Sequence, residues 1–193
     1  MKKIYLLFAA VMMAGTAMAQ SPIKYGIKAG GNFANNTFSG NGLSMTPSSV
    51  TSFYVGGLVT TSITKKISFQ PELLLSMQGY KWNRDSIPLT NNTSYLILPL
   101  MFKYNIVEGL HLEAGPQIGL LLSAKDKFGD SEDVKDQYNS LDLGANIGAE
   151  YQFPIGLFLN ARYNLGLTNI AKFTAVDVTV KNKVVSLGIG FRI

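Results

Sequence analysis

The chain contains a single histidine, His111, and any acid–base chemistry would begin there. Glu113 follows two residues later, and on an extended strand a spacing of two puts both side chains on one face. Such a pair could act as a general base and the carboxylate that orients it. Hydrolysis would also need a nucleophile, and no serine completes the set, so the spacing reads better as a structural hydrogen bond. With no cysteine, no HExxH and no second histidine, zinc has no ligand set. Acidic residues gather at Asp126, Asp130, Glu132, Asp133 and Asp136, among Lys125, Lys127 and Lys135. Their spacing is not that of an EF-hand loop; a solvated, mobile loop is the first reading and loose divalent-cation binding the second. Gly30-Gly31 and Gly56-Gly57 lie inside alternating segments, which suits close packing or bulges better than phosphate cradles. No catalytic, metal or cofactor-binding residue is assigned, and the chain is not expected to be an enzyme.

The segments around these residues alternate with a period of two, the mark of strands with unlike faces. From 157 to 168, Leu157, Leu159, Ala161, Tyr163, Leu165 and Leu167 point one way, and Phe158, Asn160, Arg162, Asn164, Gly166 and Thr168 the other. The closing run sets Val185, Leu187, Ile189, Phe191 and Ile193 against Ser186, Gly188, Gly190 and Arg192. Applied along the chain, the same test predicts eight strands, near 23–34, 50–62, 66–80, 94–105, 109–123, 140–153, 156–169 and 183–193. Short connections around 64–65, 107–109 and 154–155 alternate with long polar ones over 35–49, 81–93, 124–139 and 170–182. The predicted fold is all-β: an eight-stranded antiparallel up-and-down transmembrane β-barrel with short periplasmic turns and long outer loops. An even strand count leaves both mature termini in the periplasm.

Export fits this reading. Lys2 and Lys3 precede an apolar stretch from Ile4 and small residues ending in Ala17-Met18-Ala19. That pattern predicts a cleaved signal peptide over 1–19 and a barrel domain over 20–193. The absence of cysteine rules out a lipoprotein anchor and a disulfide framework. Beyond the signal, no apolar run reaches the roughly 18–20 residues of a membrane helix. Removing Lys2 and Lys3 lowers the formal charge from +5 to +3, and the remaining basic residues are scattered, so no nucleic-acid partner is expected.

A soluble barrel would turn its apolar row inward and its polar row to water. Here the polar row is rich in Gly, Asn and Ser, which suits a cramped interior. Its charges are Lys24, Lys28, Glu72, Lys103, Glu113, Asp142, Glu150, Arg162 and Arg192, of both signs. Buried charges must be paired, so these predict a polar network filling the lumen. Aromatic residues predict girdles where lipid meets water: Tyr25, Phe69, Phe102, Tyr104, Tyr151, Phe153 and Phe191 at the periplasmic end, and Phe33, Phe53, Tyr80, Trp82 and Tyr95 as a looser outer belt. Pro71, Pro99 and Pro116 fall at similar height on strands three to five, predicting either a seam of bulges or three unrelated kinks.

Several stretches carry a resemblance: Gly26-Ile27-Lys28-Ala29-Gly30-Gly31-Asn32-Phe33, Phe69-Gln70-Pro71-Glu72-Leu73, and Leu98-Pro99-Leu100 with Lys103-Tyr104. Further on come Gly115-Pro116 with Gly119, Gly148-Ala149-Glu150-Tyr151, Arg162-Tyr163 with Gly166-Leu167, and Leu187-Gly188-Ile189-Gly190-Phe191. Together they resemble the small outer-membrane β-barrel family described as porin-like or PorT-like, from Gram-negative bacteria. The resemblance implies the fold and the outer membrane, and for a few PorT-like members a link to protein secretion. One departure is the last residue, Ile193, where such barrels commonly end on an aromatic; Phe191 lies two before it. The expected function is a structural or interaction barrel with a plugged polar lumen and four displayed loops; a narrow channel or a transport or secretion-accessory barrel is the alternative. Expected partners are outer-membrane lipid, the barrel-assembly machinery during insertion, and a protein met through the outer loops.

Overall fold

The computed structural model describes residues 23–40, 43–82, 89–128, 130–172 and 178–193; the predicted signal peptide lies outside them. Eight long strands run in chain order: β1 Ile23–Gly40, β2 Ser48–Ser62, β3 Ile67–Trp82, β4 Leu89–Val107, β5 Leu110–Phe128, β6 Leu141–Gln152, β7 Leu157–Gly166 and β8 Thr179–Arg192. Each pairs antiparallel with the next, and β8 returns to β1 from Gly26–Arg192 to Ser39–Thr179, closing the sheet into a barrel. The shortest strand, β7, has 10 residues. At about 3.4 Å per residue and a tilt of about 40°, such a strand rises about 26 Å, matching the roughly 25 Å apolar band of membrane barrels. No described helix is long and apolar enough to cross a membrane.

The first described residue, Ile23, the last, Ile193, and the three tight turns lie at one end, here the turn end. At the opposite, loop end, the ladders outrun the predicted strands: β1 and β8 stay paired out to Ser39–Thr179, and β4 and β5 out to Thr90–Lys127. The acidic stretch after β5 carries regular structure and is exposed over 131–133 and 135–137. Asp130–Asp133 doubles back on Lys125–Phe128, a 3-10 turn follows at Lys135–Gln137, and Val134 is buried. The described residues hold no cluster of three or more His, Cys, Asp or Glu that could bind a metal.

The pleat sorts side chains into two rows, as its period requires. Outward stand large apolar residues, among them Ile27 at 70% exposure, Ile147 at 64% and Leu187 at 52%. Inward stand Lys28, Glu72, Lys103, Glu113, Glu150 and Arg162, all buried. This inversion of the water-soluble pattern is stable only where hydrocarbon bathes the outer row.

A bulge opposite the Ser94–Tyr95 step of β4 resets β5: Leu121 and Ala124 both face inward, with Leu122 outward between them. Odd positions line the lumen below it and even positions above. The prolines are not bulges. Register is unshifted across Pro71, Pro99 and Pro116, but the ladder lapses beside each. On β3 and β4 it passes from Pro71–Leu100 to Leu74–Ile97 without a bridge, and on β4 and β5 from Pro99–Gln117 to Phe102–Ala114. The missing N–H groups therefore cost ladder pairs on adjacent strands without shifting their register.

Candidate functional site in the barrel lumen

Midway along the tube, β1, β3, β5 and β7 each contribute one charged residue to a balanced four-member cluster. Glu72 accepts from Lys28 Nζ at 3.1 Å and from both terminal nitrogens of Arg162 at 2.9 Å. Arg162 also donates through Nε to Glu113 at 2.9 Å. Two cations thus meet two carboxylates deep inside the tube, and the fork of Arg162 supplies the bidentate geometry such burial requires. Lys28 additionally lies 5.4 Å from the centre of the Tyr54 ring. The void beside this cluster measures about 30 Å³, room for about two waters.

A second cluster lies toward the turn end. Glu150 pairs with Lys103 and, at 3.0 Å, with Arg192; Arg192 also donates to Gln152 and stacks 4.7 Å from Phe158. Gln70 joins the two clusters. Its Oε1 accepts from Arg192 at 2.7 Å, Thr60 at 2.9 Å and Lys103 at 3.3 Å, while its Nε2 donates to Glu72 at 2.8 Å. Small inward residues make room for these large groups: a Cβ on Gly190 would stand 2.2 Å from the Phe158 ring, and one on Gly188 would stand 1.9 Å from the Tyr54 hydroxyl.

An apolar outer surface wrapped around a charged, filled interior is the arrangement of a small membrane barrel, and the sequence comparison agrees. The model of the outer membrane protein beta-barrel domain matches residues 18–172. The chain belongs to this family. It is an outer-membrane protein of a Gram-negative bacterium, bathed by lipid. Among solved structures it is similar in fold to Ail, the attachment invasion locus protein of Yersinia pestis. The two share 17% identity, with 88% of this chain and 98% of that one covered and a TM-score of 0.52. Neisserial surface protein A is similar too, at 16% identity, 86% and 96% coverage and a TM-score of 0.53. No curated protein matches the sequence.

Two charges assigned to the lumen network stand apart from this barrel's ion pairs. Lys24 is exposed at the turn-end mouth, because it sits one strand step beyond the closed part of the tube. Asp142 is buried toward the loop end, where it meets no cation among the described residues; Thr168 donates to it at 3.0 Å and Asn182 at 2.8 Å. His111 faces inward, half-buried, with Nδ1 unpartnered. Glu113 is held by Arg162, so the two do not form a base and its orienter.

The turn-end aromatics Tyr25, Phe102, Tyr104, Tyr151 and Phe191 stand outward and exposed, with Phe69 and Phe153 half-buried among them. Phe69 contacts Phe102 at 5.1 Å and Tyr151 contacts Phe153 at 5.0 Å. At the loop end the outer belt reduces to Phe33 and Phe53. Tyr80 and Tyr95 are buried inside the tube, and Trp82 packs on the inward Phe38 at 5.6 Å. The reason is parity: Tyr80 and Trp82 share the row of Glu72 and Gln78, and Tyr95 shares that of Lys103.

These rings close the loop half of the lumen. Tyr54, Leu74, Tyr95, Ile97, Leu121, Ala124 and Val134 form one apolar cluster, with Tyr138 packed against it. Asn91 donates to the Tyr138 hydroxyl at 3.0 Å, and Asn139 ties the β5–β6 loop to the β7–β8 loop through the carbonyls of Asn169 and Ala171. Burial, with the Tyr80 hydroxyl beside it, pushes the Tyr138 phenol above its usual range. Sequence reasoning missed Gln70, Gln152 and Tyr54. Their place on the inward row was the available signal.

Proposed function

We propose that this chain is a non-enzymatic interaction barrel: a plugged tube, with both termini in the periplasm, that displays its loop-end hairpins to a partner outside the cell. The filled lumen carries this reading. Two ion-pair clusters and an apolar plug follow one another along the axis, and the void between them admits about two waters. A solute path would require both clusters to come apart, exposing charges that are now held by each other and by Gln70 and Gln152. Display is supported by the loop end, where paired strands extend past the shortest strand and the β5–β6 and β7–β8 loops brace one another. A folded platform loses less entropy on meeting a partner than a floppy loop would. Insertion would proceed through the barrel-assembly machinery.

Single-channel recording in planar bilayers tests the plug. Silent membranes are expected, and a sizeable, stable conductance would establish the alternative, a narrow channel or a transport or secretion-accessory barrel. Crosslinking in intact outer membranes through residues placed in the loop-end hairpins should capture a protein that turn-end positions do not.

A further inference from the structure

We infer that the turn-end mouth of the barrel is a binding site for a small phosphate-like oxyanion, held by buried Arg192 at its floor and by Lys24, Lys65 and Lys66 at its rim. The mouth encloses a polar cavity of about 170 Å³, well above the roughly 10–15 Å³ that admits one water. Its lining carries five basic side chains, Lys24, Lys65, Lys66, Lys103 and Arg192, together with His111, and no carboxylate. Glu150, beneath the floor, is already shared between Lys103 and Arg192. The mid-barrel cluster is balanced two against two, whereas this cluster sets two cations against one carboxylate, so its surplus positive charge faces the cavity. Glu108, in the β4–β5 turn, does not line it.

The donors are arranged for an acceptor with several oxygens. Arg192 is 6% exposed and its Nε has no partner among the described residues. That N–H has almost no open surface, and the terminal nitrogens already donate to Gln70, Gln152 and Glu150, so Arg192 acts on a bound oxyanion through its charge at the floor. His111 stands on the same wall. Ser68 adds a neutral hydroxyl. The cavity walls are backed by lipid, so the field of the rim lysines is focused inward instead of being screened on an open surface. Free phosphate and the phosphodiester of a lipid headgroup both present this chemistry.

The test is a titration of the isotope-labelled mature chain, folded in an uncharged maltoside detergent, with inorganic phosphate at constant ionic strength. Saturable shifts of the Arg192 Nε–H, with smaller shifts at the amides of Thr60 and Ser68, are expected. In Lys24→Gln/Lys65→Gln/Lys66→Gln, all exposed positions, affinity should fall about tenfold, the sum of three partly solvated pairs. Lys125→Gln/Lys127→Gln, at the loop end, should leave it unchanged. A parallel arm adds short-chain phosphatidylglycerol: saturation there at lower concentration than with phosphate supports the site and identifies the headgroup as its source. Shifts that chloride reproduces, or an unchanged affinity in the triple variant, would overturn the proposal.

Discussion

The turn half of the lumen is filled by Lys28, Glu72, Lys103, Glu113, Glu150, Arg162 and Arg192, tied through Gln70, while the loop half is filled by Tyr54, Leu74, Tyr95, Ile97, Leu121 and Val134. All the charges of the first set stand on hydrogen-bonded strands. The second set draws Val134, and Tyr138 beside it, from a loop. A buried ion pair is stable only when donors and acceptors are held to hydrogen-bonding distance, and a closed sheet provides that rigidity. Apolar contacts are non-directional and tolerate the looser placement that a loop offers. Charge therefore specifies how the strands come together, and grease seals the end where the loops fold over.

If that division is right, the two halves should fail differently. The largest effect is expected from Arg162→Met, which leaves Glu72 and Glu113 with Lys28 as their only cation; the loss should be about 4 kcal/mol. Chemical unfolding in detergent measures it. Adding Glu113→Gln to that variant should recover part of the loss, since it removes a carboxylate left without its partner; no recovery would mean that Arg162 matters for packing alone. Next comes Tyr95→Ala in the loop half, with an expected cost of about 3 kcal/mol from the cavity. No second charge change should rescue it, and rescue by a neighbouring Leu74→Phe would confirm that volume is what the plug requires.

The smallest effect belongs to Tyr138→Phe, which removes a hydroxyl that Asn91 donates to and should cost about 1 kcal/mol. Its signature is pH dependence. The phenol is raised in the fold relative to its ordinary value of 10.0, so its contribution is complete below that pH and is lost as pH climbs through the folded value. Fluorescence of Trp82, the chain's one tryptophan, against Phe38 at the same end should report loosening above pH 10 in the native protein. Tyr138→Phe should flatten that profile; an unchanged profile would detach Tyr138 from the plug.

Strand number, the alternation of short and long connections and the identity of the two rows were legible in the chain, because each rests on a period of two and on local turn chemistry. The same period explains why Lys28, Glu72 and Arg162 could be placed on one face without knowing their partners. It was misapplied at Tyr80, Trp82 and Tyr95: aromatic character at a strand end suggested a lipid belt, while their parity with Glu72 and Lys103 placed them inside.

What the sequence by itself determined is therefore which residues face inward and which face lipid. Only the closed barrel decided which inward residues touch. Lys28 and Glu72 are 44 residues apart, Arg162 and Glu72 are 90, and Arg192 and Gln70 are 122. Such pairings depend on how the strands are staggered around the ring and on the bulge that resets β5, and no local pattern encodes either. The same closure left the charge of Arg192 beneath a ring of lysines, a juxtaposition that exists only after β8 has met β1.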